Sequence, residues 1–152
     1  MNAKKPRIPC LACGSEPASS LYKYCSNICQ QEYQYQVYIQ KWKTGEIIGL
    51  QRHGIVSTPI KRYLREKFKD RCYLCAWSEV NPVTGKVPLV ADHIDGNWKN
   101  NREENLRLIC PNCDSLSPTY AALNKGNGRA NRAISNRTRA ARELIPVSRT
   151  PK

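Results

Sequence analysis

Eight cysteines constrain this chain more than any other feature. They fall in two quartets: Cys10-x2-Cys13 with Cys25-x3-Cys29, and Cys72-x2-Cys75 with Cys110-x2-Cys113. Zinc takes four soft ligands at tetrahedral corners, and one CxxC turn offers two thiolates to a single ion. Two such turns close a site. The competing fate of paired cysteines is disulfide formation, which needs an oxidising compartment. The chain shows no apolar secretory leader and no apolar run of bilayer-spanning length. The expectation is therefore a cytoplasmic chain with reduced thiols, two bound Zn²⁺ ions and no membrane partner. A closed four-cysteine site leaves no open coordination position, so both ions are expected to be structural.

The rest of the composition agrees with such staples. The chain has 152 residues, 40% of them hydrophobic, with one Phe and one Met. A core that thin needs outside help. Structural zinc sites supply roughly 10–16 kcal/mol, comparable with a small domain's whole stability, so loss of Cys110 is expected to unfold the middle of the chain. The formal net charge is +13. Each four-thiolate zinc site carries a net −2, which leaves about +9 with both sites filled. A polyanion partner follows, although charge does not choose among DNA, RNA and an acidic membrane.

The charge is unevenly spread. Residues 1–71 hold 13 Lys/Arg against 5 Asp/Glu, residues 72–124 hold 4 against 6, and residues 125–152 hold 8 against 1. A slightly acidic middle lies between two basic arms. Residues 8–44 read as a small treble-clef-like finger, with Ser26 capping a helix through Cys29, Tyr33, Val37 and Trp42 that ends near Gly45. Residues 45–56, with Gly45, Gly49 and Gly54, read as a linker. Residues 57–124 form the central domain. It opens on a helix capped by Ser57, with Pro59 in its first turn and Ile60, Tyr63, Leu64 and Phe68 at helical spacing. Residues 87–94 read as a strand, 106–109 as a second, and a helix is expected from about Cys110 past Tyr120. Asn97, Asn100 and Asn101 read as turn formers, Asp95-Gly96 as a turn, and Trp98 as a packing residue. Residues 125–152 form a basic tail, helical or disordered. The fold class is α+β, small and zinc-stapled.

Asp92-His93 ends the first of those strands, Asn105 opens the second, and Asp114 follows the last cysteine. All lie within or beside the loop that the second quartet closes, so zinc would fix their relative positions. The run CYLC, then ADHIDGN, then ENLRLICPNCDSLSPTY resembles the HNH endonuclease family over about residues 72–124. The wording CPNCDSLSPTY with LNKGNGR is similar to phage-encoded, homing-type HNH proteins, and KYCSNICQQEYQY to the zinc fingers that precede the nuclease in such proteins. The resemblance implies a ββα-metal fold around one divalent ion. It also implies that His93 is the general base, that Asp92 and Asp114 hold the ion, and that Asn105 steadies the His loop. The family's commonest pattern has His where this chain has Asp114. An aspartate is a hard oxygen ligand suited to Mg²⁺ or Mn²⁺. Asn124 or a water is left to complete the shell.

The reaction expected from this likeness is metal-dependent hydrolysis of double-stranded DNA. Phosphate contacts are expected from Lys61, Arg62 and Arg65 on the helix and from Arg129, Arg132, Arg137 and Arg139 in the tail. Arg102 and Arg107, nearer the site, are expected at the scissile strand. Binding of this kind weakens with salt. Two rival readings remain: a nuclease assisting phage genome packaging beside a terminase, and a non-catalytic zinc-finger regulator. A homodimer is a further expectation wherever both strands are cut.

Overall fold

The computed structural model describes residues 6–127, and these divide into two compact units, one ending at Ile47 and one beginning at Ile48. The expected contributions of Arg129, Arg132, Arg137 and Arg139 lie outside the described residues. Among the described residues, no helix is long and apolar enough to cross a membrane.

The first unit is a cysteine knuckle followed by one helix, α1 (Asn27–Lys43). Ser26 is its N-cap, with the side-chain oxygen accepting from the Cys29 N–H. That bond satisfies an otherwise orphaned donor and sets where the helix starts. Tyr35, Ile39 and Trp42 are its buried residues, at the 3–4-residue spacing of a single helical face. Tyr33 and Tyr38 are half-buried and Val37 is exposed, so the core face lies beside the one expected.

The second unit opens on a small hairpin. Strand β1 (Leu50–Gln51) pairs antiparallel with β2 (Ile55–Val56) through one 3₁₀ turn, Arg52–Gly54. The stretch expected as a linker thus carries ordered structure from Leu50 on. Gly54 has φ 69°, a conformation that only glycine adopts without cost, and here it turns the chain rather than loosening it. Helix α2 (Thr58–Phe68) follows, with Ser57 at the N-cap position and Pro59 in the first turn. The Ser57 hydroxyl makes no capping bond and is buried without a partner. Ile60 and Leu64 are fully buried, each contributing roughly 1.5–3 kcal/mol.

Strand β3 (Val90–His93) pairs antiparallel with β4 (Leu106–Ile109), and α2 packs on β4. β3 is shorter than the stretch read from sequence, because Pro88 has no N–H to give a ladder and Leu89 donates to Val87 instead. Helix α3 (Pro111–Ser115) follows β4 and completes a β–β–α order. It is much shorter than expected. The Leu116 N–H turns back onto Asn112 and Asp114, and Ser117 precedes Pro118, which disfavours helical backbone. The architecture is α+β, with short antiparallel strand pairs and one cysteine quartet in each unit.

Candidate metal centres and active site

In each quartet the four sulfurs lie within 4.8 Å of one another. The spacings are 3.5 Å for Cys13–Cys25, 3.4 Å for Cys25–Cys29, 3.6 Å for Cys13–Cys29 and 3.8 Å for Cys75–Cys110. Four sulfurs about 2.3 Å from a common zinc ion stand roughly 3.8 Å apart. A disulfide would bring a pair to about 2.0 Å. All eight thiols are free, and the donor set fits zinc.

The electrostatics of the quartets agree. Burial raises the Cys10 thiol, but backbone hydrogen bonds from Cys25, Cys13 and Ala12 outweigh it and lower it to about 6. Burial likewise acts against Cys72, and backbone hydrogen bonds from Cys110, Cys75 and Leu74 lower that thiol to about 6. In contrast, the sulfurs of Cys29 and Cys13 push Cys25 up to about 12, and those of Cys110 and Cys75 push Cys113 up to about 12. Each quartet therefore holds thiols that ionise readily, Cys10 and Cys13 in the first and Cys72 in the second, beside one that resists. A dication among the sulfurs offsets that crowding.

The second quartet is woven into the core. Cys72, Ile109 and Cys110 are buried together, with Trp77, Leu89 and Cys113 packed against them. The Tyr73 N–H donates to Leu108 of β4. The Cys110 sulfur caps α3 by accepting from the Cys113 N–H. Asp114 sits in the first turn of that helix, so the quartet and the β3–β4 pair together position it.

Asp92, His93 and Asp114 line one cleft of about 230 Å³, beside Gly96, Trp98 and Asn124. Asp92 faces Arg107 directly across the β3–β4 register, and the Arg107 Nε donates to its Oδ2 at 2.7 Å. Both side chains are nearly buried, at 12% and 14% exposure. Arg107, expected at the scissile strand, is instead folded onto a carboxylate by its cross-strand position. Burial raises the carboxyl of Asp114 above the ordinary aspartate range, and the Asp92 charge raises it further, while Arg107 lowers it. Two carboxylates drawn together at an open cleft fit a hard, partly hydrated dication such as Mg²⁺, which is typically held by one or two carboxylates and several waters. Among the described residues, the two cysteine quartets are the only groups of three or more His, Cys, Asp or Glu ligand atoms this close.

The loop after His93 is tied down from inside. Asn105 accepts from the Asp95 N–H at 3.1 Å and donates to Asp95 Oδ1 and the Asn100 carbonyl, each at 2.8 Å. Burial would raise the Asp95 carboxyl, but hydrogen bonds from Asn100, Asn105 and the Asn97 N–H lower it overall. Asn124 donates to the Gly96 carbonyl at 2.7 Å. A Cβ on Gly96 would lie 2.7 Å from both Asn124 Oδ1 and Thr119 Cγ2, so this turn admits only glycine. Asn101, taken from sequence as a turn former, is buried, and its Oδ1 lies 2.9 Å from His93 Nε2. An asparagine-rich loop gives no sign of which amide will meet the ring, because that depends on how the loop closes.

The expected cationic face of α2 is largely engaged within the molecule. Arg62 pairs with Glu66, Arg65 with Asp70 and the Val87 carbonyl, and Lys67 with Glu103. Lys61 lines a separate groove with Val90 and Ala91, and Arg102 is exposed. The structure thus gathers Asp92, His93 and Asp114 at one cleft, pairs Arg107 with Asp92 there, and gives Arg62 and Arg65 partners away from it.

Over 57 residues the chain is 52% identical to the H-N-H endonuclease F-TflIV of Escherichia phage T5. The match covers 38% of this chain and 23% of that relative, so the chain spans under a quarter of the relative's length. No family model matches the chain, and no solved structure does. Over those 57 residues the chain is similar to an HNH endonuclease, and its two cysteine quartets fit a zinc-stapled protein of that kind.

Proposed function

We propose that the second unit is a metal-dependent endonuclease that hydrolyses phosphodiester bonds of double-stranded DNA. The observation that carries this reading is the shared cleft of Asp92, His93 and Asp114. The HNH likeness supports it. Neutral imidazole takes a proton from water near pH 7, so His93 is the general base. Arg107 orients the Asp92 carboxylate through Oδ2 and leaves Oδ1 for the cleft. Asp92 and Asp114 would hold a Mg²⁺ or Mn²⁺ ion, which supplies Lewis-acid stabilisation of the phosphate and of the departing 3′-oxygen. Asn105 keeps the His93 loop closed through its bonds to Asp95 and Asn100. Products carry 5′-phosphate and 3′-hydroxyl ends. The two zinc ions are structural, and Arg102 and the basic tail contribute phosphate contacts.

By likeness to homing-type HNH proteins, the biological act is nicking or cleavage at a chosen DNA site. One centre cuts one strand, so a double-strand break calls for a homodimer or two events. Packaging beside a terminase is the alternative setting for the same chemistry.

Plasmid nicking tests the reading. The zinc-loaded protein is expected to nick supercoiled DNA with Mg²⁺ or Mn²⁺. His93→Ala is expected to slow nicking by roughly 10²–10⁴-fold, with two zinc ions and DNA affinity retained. Wild-type-like nicking by that variant removes His93 from the reaction. Binding without nicking in either metal favours the zinc-finger regulator.

A further inference from the structure

We propose that Asn101 is a positioning residue that fixes His93 in the Nε2–H tautomer and leaves Nδ1 as the ring's one basic nitrogen. The proposal deepens the reading of His93 as general base and rests on it for its catalytic meaning.

The argument begins at the far end of the Asn101 side chain. Its Nδ2 donates to the carbonyls of Trp98, at 3.1 Å, and Lys99, at 3.3 Å. Carbonyl oxygens only accept, so the amide nitrogen must face them. The orientation of the amide is thereby settled by the backbone, and Oδ1 must face the imidazole. An amide oxygen also only accepts. The contact at 2.9 Å to Nε2 is therefore a hydrogen bond in which the ring N–H donates. In the other tautomer two lone pairs would oppose each other at that distance, or the amide would have to flip and give up both carbonyl bonds.

Asn101 is 3% exposed, so water does not offer its oxygen an easy substitute. The loop that carries it is closed independently. Asn100 donates to Asp95 Oδ2 at 2.7 Å, and Asn105 holds the Asn100 carbonyl. The ring is thus met by a fixed acceptor. No described residue hydrogen-bonds Nδ1, and the ring lines the cleft shared with Asp92 and Asp114. A general base needs an unprotonated nitrogen free to meet water, and which ring nitrogen fills that role is set by the bond the other one makes.

Nitrogen-15 NMR of the zinc-loaded, full-length chain at pH 8 reads the tautomer directly, since the sequence has only two histidines, His53 and His93. Wild-type His93 is expected to show a protonated-type Nε2 and an unprotonated-type Nδ1. Asn101→Leu, which removes the acceptor, is expected to average the two signals and to lower kcat for nicking about 10–100-fold at little-changed KM. Asn101→Asp keeps an acceptor for the ring N–H but sets its second oxygen against the Trp98 and Lys99 carbonyls, so it is expected to keep the protonated-type Nε2 signal and to recover only part of the rate. A wild-type ring protonated at Nδ1 overturns the proposal even if Asn101→Leu fails to fold. Unchanged ring signals in a folded Asn101→Leu, verified by two zinc ions per chain, also overturn it. The NMR result needs no turnover. A wild type that never nicks therefore sinks the nuclease reading and leaves the tautomer to be judged alone.

Discussion

The turns at Cys10–Cys13 and Cys72–Cys75 follow one backbone course in different surroundings. In both, the N–H four residues after the first cysteine bonds back to that cysteine's carbonyl: Gly14 to Cys10 at 2.8 Å, Ala76 to Cys72 at 2.9 Å. That position is left-handed in each, at φ 75° for Gly14 and 60° for Ala76. The first turn uses the residue that adopts the conformation freely. The second uses one that is disfavoured there by roughly 1–2 kcal/mol. The second turn tolerates this because it is bonded to β4 through Tyr73 and packed on Ile109. The first has Cys13 and Cys25 exposed. The same cysteine turn can thus serve as a unit's principal candidate staple or as one part of a wider core. In the second unit the last cysteine of the quartet is followed directly by Asp114, which lines the cleft with Asp92 and His93.

The largest test of that contrast removes one ligand from each quartet. Cys110→Ser is expected to lose one zinc and unfold the second unit, a loss of roughly 10–16 kcal/mol in zinc binding. Cys13→Ser is expected to lose one zinc while the β3–β4 amides stay protected. Zinc analysis with hydrogen exchange separates these outcomes. Loss of β3–β4 protection in Cys13→Ser would show that the two quartets are not independent.

A smaller effect is expected at Asp114. Its folded carboxyl is raised, so the metal-free protein should lose stability as pH climbs from the ordinary aspartate range through that raised value. Asp114→Asn is expected to raise the metal-free Tm by a few degrees at neutral pH and to abolish any rise on adding Mg²⁺ or Mn²⁺. A variant that still gains stability from those ions would remove Asp114 from the metal site. The smallest effect lies in the turns themselves. Ala76→Gly should stabilise the second unit by about 0.5–1 kcal/mol, and Gly14→Ala should destabilise the first by a similar amount. No neighbour lies near a Cβ at Gly14, so that change reads backbone conformation alone. Denaturant midpoints measure both, and equal signs for the two substitutions would break the parallel.

These outcomes also mark what could be read from the amino acids. The quartets were legible because a CxxC turn is local and its chemistry is set by spacing. β4 and both long helices were legible from apolar periodicity, from the N-cap Ser26 and from Pro59 in the first turn of α2. Element ends were harder. Pro88 cut β3 short, and the Ser117-Pro118 step helped to stop α3, though each proline was in plain view. The glycines of residues 45–56 suggested looseness, yet Gly54 makes a hairpin turn. At the site, Asp92, His93 and Asp114 stood out by residue type. The pairing of Arg107 with Asp92 was not foreseen, because it is set by strand register. Asn101 was missed because nothing local separates a buried amide from its solvated neighbours.

The Cys110 sulfur is both a candidate zinc ligand and the cap of a five-residue helix that carries Asp114. A helix that short does not hold itself together in water. On the proposed two-metal reading, chelators would act on two different ions with one visible result. A strong chelator that strips the thiolates would dissolve the helix and silence the cleft as fully as withdrawing magnesium. Restoring magnesium alone would then fail, and the failure would mimic an enzyme that never used it. Zinc must be returned first, which makes the order of metal addition itself a readout of which ion was lost.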